Sequence, residues 1–411
     1  MTPFLQMAVS LAIIISAAKL GGYLSYRIGQ PAVLGELIFG LILGPSGLNF
    51  LAIPYFTDQN LPEVIRHLAE MGVLLLMFLA GLELHLADLL HSGKVAALSG
   101  TLGVIFPLAL GTVTGLLFAM DFQAAIFIGL ILSATSVSIS AQTLMELKVL
   151  RSRVGVGLLG AAVFDDILVL LGLSVFTALT QPQSTGGIFS VLWIVLRMAL
   201  FLGLASGVGR WILPRLGRRI GSLPISQGLI AFAFVTLLIY GWTAEVLGQM
   251  AAITGAFLAG LWFGRTPEKE RIHSGMAAIA YGVFVPVFFI NIGLSANARD
   301  LNWQSGLLLF VMVLVAVISK VLGAGSGAIL GGFTWREALQ LGVGMMSRGE
   351  VGLIVAAIGI ELGLIQSDTF TAVVGVVILT TLLTPLMLRG LFPKVHAVQH
   401  MSPNTSKGAR Q

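Results

Sequence analysis

The sequence predicts an all-α polytopic membrane protein with about 13 transmembrane helices, inverted-topology repeats and two discontinuous crossing helices. The first observation is composition: 57% of the 411 residues are hydrophobic and 10% are charged, against about 25% charged in soluble domains. The second is that the apolar residues fall in runs of roughly 20, enough to cross a hydrocarbon core about 30 Å thick as a helix. The third is that polar residues and glycines interrupt two of these runs.

The apolar runs are separated by charged residues, Pro and Gly. They predict spans at 4–26, 31–50, 64–84, 93–119, 123–146, 154–179, 188–213, 222–247, 250–264, 277–296, 303–332, 335–362 and 368–392. No Lys or Arg precedes the first run and no small-residue cleavage site follows it. We therefore interpret that run as a retained span rather than a signal peptide.

Basic residues in the connections predict the orientation. Connections after odd-numbered spans, with the C-terminal tail, carry 17 of the 23 Lys and Arg residues, whereas those after even-numbered spans carry two. The positive-inside rule then places the N-terminus outside and the C-terminus in the cytoplasm, and it attributes the net charge of +5 to cytoplasmic loops rather than to nucleic-acid binding. Cysteine is absent, which excludes disulfides and thiolate sites. The polar tail 393–411 is short, and we expect no soluble regulatory domain.

Hydroxyl side chains crowd the middle of the fifth span. The segment "LSATSVSISAQ" (132–142) contains Ser133, Thr135 and Ser136. Such hydroxyls compete for backbone hydrogen bonds and can replace them where a helix unwinds. The alternative is ordinary hydrogen bonding between neighbouring helices.

The twelfth span carries a second candidate interruption. In "GVGMMSRGEVG" (342–352), Arg348 and Glu350 stand among glycines. We interpret the charge pair as structural and the break around it as functional; the alternative is a pair that only stabilises packing. The two breaks lie seven spans apart, and because seven is odd the two interrupted helices cross the membrane in opposite directions. Inverted repeats that match spans 2–6 with spans 9–13 would give this arrangement. No tandem sequence identity is evident. Paired interrupted helices indicate a transporter's midplane site.

Two adjacent aspartates lie in the middle of the sixth span. The segment "AAVFDDILVLL" (161–171) contains Asp165 and Asp166. Placing a charged residue at the centre of a membrane helix raises the free energy of membrane insertion by roughly 2.5–3.5 kcal/mol. Successive helical residues point about 100° apart, so one carboxylate can face a protein partner while the other faces a cavity. Lys320, deep in the eleventh span, is the candidate partner. A purely structural ion pair would leave the second aspartate unexplained.

Other classes of function fit these residues less well. An intramembrane aspartyl protease needs its two carboxylates on facing helices, and adjacent residues on one helix cannot meet that need. A passive cation channel needs an open path, which a buried Lys–Asp pair would obstruct. Two further acids, Glu36 and Glu83, stand near span ends, where we expect them at the membrane interface. We therefore predict a transporter and not an enzyme.

Several motifs in order resemble bacterial sodium/proton antiporters of the monovalent cation:proton antiporter superfamily, in the paired-aspartate (NapA-type) branch. The motifs are "QPAVLGELIFGLILGPSGL" (30–48), "MGVLLLMFLAGLEL" (71–84), "SATSVSISAQTLMEL" (133–147), "AAVFDDILVLL" (161–171), "VPVFFINIGL" (285–294) and "MMSRGEVGLIVA" (345–356). Together they cover nearly the whole chain.

The resemblance implies a division of the chain into parts. It places a dimerisation and gate panel at 1–90 and 222–296, a core transport domain at 93–179 and 303–392, and a linker helix at 188–213. It further implies a homodimer in a bacterial inner membrane that works by an elevator form of alternating access.

The resemblance also implies residue roles. Asp166 would be the ion ligand and proton carrier, Asp165 would pair with Lys320, and the two aspartates together would supply the carboxylates for the cation. Ser133, Thr135 and Ser136 would line the site, and Arg348 with Glu350 would form a structural pair near the second break.

The resemblance bears on the transported ions as well. The ions would be Na⁺ and H⁺, with Li⁺ or K⁺ as alternative cations and no cofactor, and an Asp-Asp pair implies electrogenic exchange. A potassium/proton antiporter or a potassium efflux protein of the same fold is the alternative. Potassium efflux proteins of this fold typically have Gln before the Asp and a large cytoplasmic domain, and this sequence has neither.

Overall fold

The computed structural model describes residues 2–84, 92–180, 187–295 and 303–392, and its regular secondary structure is helical throughout these ranges. The first eight helices are α1 (Pro3–Arg27), α2 (Ala32–Leu43), α3 (Leu61–Glu83), α4 (Gly93–Leu117), α5 (Phe122–Ser133), α6 (Val137–Glu146), α7 (Arg153–Thr180) and α8 (Gly187–Trp211). The remaining helices are α9 (Leu213–Gly221), α10 (Gly228–Val246), α11 (Ala252–Phe263), α12 (Lys269–Leu294), α13 (Trp303–Leu330), α14 (Trp335–Gly344), α15 (Glu350–Glu361) and α16 (Ser367–Leu391).

These helices confirm the predicted fold class. Within the described residues, ten helical segments are long and apolar enough to cross a membrane, with the α5–α6 pair as one of them. Three shorter apolar helices, Ala32–Leu43, Ala252–Phe263 and Val351–Ile360, stand where the second, ninth and twelfth spans were predicted. The chain is therefore an integral, multi-pass membrane protein.

The boundaries of three predicted spans differ clearly from the helices. The tenth span was predicted to begin at 277, whereas α12 begins at Lys269. The second span was predicted to reach residue 50, but α2 ends at Leu43 because Gly44, which precedes a proline, is extended. The eighth span was predicted to begin at 222, whereas α10 begins at Gly228. Before it lies a short basic helix, α9, which the hydrophobicity pattern did not predict.

One acidic residue is buried between helices. Glu36 is only 8% exposed, and its position at the membrane interface stays a prediction. It faces α1 close to Gly22, where the two helices pack together. The neighbouring helix α1 therefore covers this carboxylate.

Local sequence explains the start of α14 and the irregularity of α12. A capping box begins α14: the Thr334 hydroxyl accepts from the Glu337 backbone N–H, and the Glu337 carboxylate accepts from the Thr334 N–H. In α12, the π-helical segment Ala280–Phe284 stands just before Pro286. Proline has no N–H to donate to the preceding turn, so the regular hydrogen-bond ladder is interrupted there.

The two halves of the chain make matching contacts. Helix α2 packs against α12 and α11 packs against α3. Both contacts need a glycine, since a Cβ atom on Gly40 would overlap the backbone of Ile290 and one on Gly260 would overlap the backbone of Phe78. These small residues let the backbones approach closely, as is common between membrane helices.

The repeat also leaves a trace in the sequence. The segments "GELIFGLILG" (35–44) and "GAFLAGLWFG" (255–264) carry glycine at the same three positions. Both segments lie in helices of 12 residues that follow an extended residue. This similarity becomes visible only when the two helices are known to be equivalent in the fold.

One hydrophobic cluster joins only the segments 93–179 and 303–392. It contains side chains of α4, α5, α7, α13, α15 and α16. A larger cluster joins α1–α3 and α10–α12 with α8 and α9, and it extends into the core segments through α4, α6, α7, α13 and α14. We call the first set of segments the core and the helices α1–α3 and α10–α12 the panel; that the two move relative to each other stays a prediction.

Candidate ion-binding site

Helix α7 carries both aspartates into the interior. Asp165 is 0% exposed and Asp166 is 6% exposed, on the unbroken helix Arg153–Thr180. As neighbours on a helix they point about 100° apart. Asp165 is turned towards α13 within the core, whereas Asp166 is turned towards α11 of the panel.

Asp165 forms a buried ion pair. The Lys320 Nζ atom of α13 lies 2.5 Å from Asp165 Oδ1, and both side chains are fully buried. Helix α4 packs against both α7 and α13. Its Gly100 permits the approach, because a Cβ atom there would lie 2.6 Å from the Cβ of Phe164.

The two interrupted helices cross and hydrogen-bond to each other at their breaks. The chain is extended at Ala134 and Ser136 between α5 and α6, and it leaves the helical path between α14 and α15. The Ser136 N–H donates to the Ser347 carbonyl (2.9 Å), and the Ser347 hydroxyl donates to the Ser136 carbonyl (2.6 Å). The crossing thereby satisfies backbone groups that would otherwise be costly within a membrane.

The three hydroxyl residues predicted to line the site have different surroundings. Thr135 faces Asp165. The Ser133 hydroxyl donates to the carbonyls of Gly129 (2.9 Å) and Val104 (3.1 Å), and so ties the end of α5 to α4. The Ser136 hydroxyl lies 3.1 Å from that of Ser138. Of the three, Thr135 is the one next to the aspartates, and their roles stay predictions.

Arg348 is buried at the second break, with 1% of the residue exposed. Its guanidinium donates to the carbonyls of Met345 (3.3 Å) and Ala316 (3.2 Å). A cation there complements the negative end of the half-helix α14. The side chain of Glu350, its predicted partner, lies outside the described residues.

Asp166 faces the boundary between core and panel. Thr254 of α11 lies with its Oγ1 atom 3.4 Å from Asp166 Oδ2. The other side chains that line this narrow cleft are apolar: Met77, Val137, Leu159, Ala162, Val163, Ile253 and Phe257. A carboxylate and one hydroxyl are thus the polar side chains of the cleft.

A wider cavity separates core and panel at one end of the bundle. It lies between α3 and α12 on one side and α15 and α16 on the other, with Arg66 and Ser295 near its mouth and Gly349 and Thr381 at its inner part. At the opposite end, core and panel touch. There the Glu146 carboxylate of α6 accepts from the backbone N–H groups of Ala32 (2.6 Å) and Val33 (3.3 Å), which begin α2.

Four residues of this region were missed from the sequence. The Thr380 hydroxyl of α16 accepts from the Arg348 N–H (3.1 Å), and the Thr381 hydroxyl donates to the Arg348 carbonyl (3.0 Å). Ser347 hydrogen-bonds to Ser136. Thr254 contacts Asp166. Thr254, Thr380 and Thr381 lie outside the interrupted segments 132–142 and 342–352, within apolar runs. The only signal in the sequence was that each is a polar residue in an apolar run.

The acids do not form a resident metal site in the part of the chain that the structure describes. No three His, Asp or Glu side chains come together there in a way that could hold a metal ion. The predicted cation ligands, Asp165 and Asp166, are neighbours whose carboxylates face different helices.

Relatives of this chain cover nearly all of it. The sodium/hydrogen exchanger family of transmembrane proteins matches residues 13–394. The Na⁺/H⁺-K⁺ antiporter GerN of Bacillus cereus is 38% identical over 383 residues, or 93% of this chain and 95% of that protein. A Na⁺/H⁺ antiporter of Enterococcus hirae is 36% identical over 388 residues, or 94% and 98% of the two chains.

A solved structure shares the fold. The sodium proton antiporter MjNhaP1 from Methanocaldococcus jannaschii superposes with a TM-score of 0.68 at 18% identity, over 95% of this chain and 96% of that one. At this level of identity the likeness concerns the fold alone. With the buried aspartates and crossed helices, and above all with the family match along nearly its full length, the chain belongs to the sodium/hydrogen exchanger family.

Proposed function

We propose that this protein exchanges Na⁺ for protons across the membrane, electrogenically, by competition of the two ions at Asp166. The observation that carries the proposal is a carboxylate, 6% exposed, held in the middle of an unbroken membrane helix at the boundary of core and panel. Ionisable residues at such depth mark ion pathways in membrane proteins.

Competition at one carboxylate is sufficient for exchange. A carboxylate can hold a proton or a monovalent cation but not both well, so that binding of one displaces the other. The neighbouring Asp165 is engaged by Lys320 within the core, and we assign the travelling ion to Asp166, which faces the panel. Thr135, beside Asp165, is the hydroxyl we assign to the site from the first helix break.

Access then alternates between the two sides of the membrane. We propose that the core slides against the panel in an elevator motion and carries Asp166 past it, with the panel fixed in a homodimer. The separate hydrophobic cluster of the core supports this division. The bias of basic residues supports a cytoplasmic C-terminus, and we propose a bacterial cell membrane from the resemblance to bacterial antiporters.

Proteoliposomes that contain a pH-sensitive dye test the proposal. We expect the wild-type protein to collapse an imposed pH gradient when Na⁺ is added, and Asp166→Asn to lose this activity because the amide cannot carry the proton. Asp121→Asn makes the same chemical change at an exposed position and should leave the activity intact. Sodium-driven proton movement by Asp166→Asn would exclude Asp166 as the carrier.

Potassium is a second candidate cation, because a relative that is 38% identical is named as a Na⁺/H⁺-K⁺ antiporter. The same assay with Na⁺, Li⁺ and K⁺ in turn ranks the cations by their half-saturation concentrations. An imposed membrane potential should change the exchange rate if more than one proton is exchanged for each monovalent cation, because net charge then crosses the membrane. A rate independent of the potential would make the exchange electroneutral.

A further inference from the structure

The panel contributes one hydroxyl to the cleft of Asp166. Thr254 is 3% exposed, and its Oγ1 atom lies 3.4 Å from Asp166 Oδ2 across the boundary between α11 and α7. The rest of the cleft is lined by apolar side chains.

The position of Thr254 in its helix leaves its hydroxyl free to turn outward. Several buried threonines within other helices donate to the carbonyl four residues earlier, as Thr236 does to Phe232 and Thr143 does to Ile139 at 2.8 Å each. Thr254 is the third residue of α11, so the residue four positions earlier, Met250, lies outside the helix. The backbone N–H of Thr254 donates to the Ala251 carbonyl, three residues earlier.

The hydroxyl can serve each state of Asp166 in a different way. It donates to the carboxylate when Asp166 is ionised and empty, and it offers a neutral oxygen lone pair when a cation is bound. Small monovalent cations, like other hard cations, prefer oxygen ligands. Attraction between a cation and an oxygen dipole weakens with distance, so the oxygen favours the smaller ion.

We propose that Thr254 is the panel-side ligand of the transport site and helps to set which monovalent cation competes with the proton at Asp166. This inference rests on the proposed function, because it takes Asp166 as the ion carrier. It adds that the site is completed by a residue of the panel and therefore only in conformations where α11 and α7 meet.

The test compares two substitutions at one position in proteoliposomes. Thr254→Val keeps the shape and removes the hydroxyl, and Thr254→Ser keeps the hydroxyl. We expect Thr254→Val to raise the half-saturation concentration for Na⁺ and Li⁺ about 3- to 10-fold, as for a lost hydrogen-bonding group, and that for K⁺ less. Thr254→Ser should stay within about twofold of the wild type by the same reasoning.

A matched control removes a panel hydroxyl away from the site. Thr236→Val in α10 deletes a hydroxyl that bonds only within its own helix, and it should leave all three half-saturation concentrations unchanged. A second readout does not depend on transport: the rise in melting temperature on adding NaCl should be smaller for Thr254→Val than for Thr254→Ser.

The outcomes separate this inference from the proposed function. If the wild type exchanges Na⁺ and Asp166→Asn does not, the proposed function stands. If Thr254→Val then shows wild-type half-saturation and an unchanged order of cations, Thr254 is not a ligand and the inference is overturned. If the wild type moves no protons with any cation, the proposed function itself fails.

Discussion

Two adjacent aspartates have different environments because a helix turns about 100° per residue. Asp165 faces inward and is paired with Lys320 within the core, while Asp166 faces the panel and contacts Thr254. A single helix thereby presents one carboxylate to a fixed partner and another to a surface that we expect to slide. The pair could not do this at a spacing of three or four, which puts both side chains on one face.

The ion pair predicts a coupling between its two members. Removal of one partner leaves a buried charge without compensation, at a cost of about 3–5 kcal/mol. Asp165→Asn and Lys320→Gln should therefore each lower the melting temperature in detergent, while the double substitution should recover much of the loss. Losses that simply add in the double variant would show that the two charges do not stabilise each other.

Arg348 illustrates a buried charge that is held in part by backbone groups. Its guanidinium bonds two backbone carbonyls, and its own backbone is held by Thr380 and Thr381 of α16. The sequence suggested a structural role for this residue together with Glu350. The geometry gives Arg348 a way to fill that role through carbonyls at the end of α14 and in α13.

At the scale of elements, the crossing of the interrupted helices needs a residue without a side chain. A Cβ atom on Gly349 would lie 2.5 Å from the Cβ of Ser136 and 2.6 Å from its Oγ. The φ angle of Gly349 is −157°, outside the left-handed region. The close approach to Ser136 therefore gives the physical reason for a glycine at this position.

Gly349→Ala should weaken the crossing. The added methyl group must push the two breaks apart, and overpacking of this kind costs about 1–3 kcal/mol. We expect a lower melting temperature in detergent and slower exchange. Gly207→Ala, in α8, is the matched control, since a Cβ there meets nothing within 4 Å; it should be neutral or slightly stabilising. Equal behaviour of both variants would contradict the argument.

At the scale of the molecule, core and panel touch at one end and stand apart at the other. Glu146 of α6 joins the start of α2 at the closed end, whereas the cavity beside Arg66 occupies the opposite end. The first N–H groups of a helix have no partner within the helix, and a carboxylate satisfies them well. This contact must break if the core moves past α2.

Loss of the Glu146 carboxylate should loosen the closed end. We expect Glu146→Ala to increase deuterium uptake at the backbone amides of Ala32 and Val33, measured by mass spectrometry, because those amides lose their acceptor. Loss of a helix cap costs about 0.5–2 kcal/mol. Glu70→Ala, which removes an exposed carboxylate from α3, should leave this uptake unchanged. Unaltered uptake in Glu146→Ala would mean that the contact does not hold the two parts together.

Much of the fold could be predicted because membrane helices are specified locally. The hydrophobic runs predicted all thirteen spans, and most boundaries agree to within a few residues. The exceptions are α2, which Pro45 ends early, α10, which the basic helix α9 precedes, and α12, which begins at Lys269 rather than at 277. Paired interruptions in the fifth and twelfth spans predicted the crossing helices. Their hydroxyls and glycines are visible in sequence because they interrupt otherwise apolar runs.

The sequence by itself determined the class of protein, the number of spans and the charged residues that are costly within the hydrocarbon core. The free-energy cost of placing a charged side chain in a membrane falls on each residue separately, so it can be assessed from the sequence. Only the tertiary structure decided which partners these residues meet. The hydrogen bonds between Ser136 and Ser347 and the contact of Thr254 with Asp166 join residues far apart in the chain. Such contacts depend on how helices pack, and a lone threonine in an apolar run carries no mark of the helix that it will face.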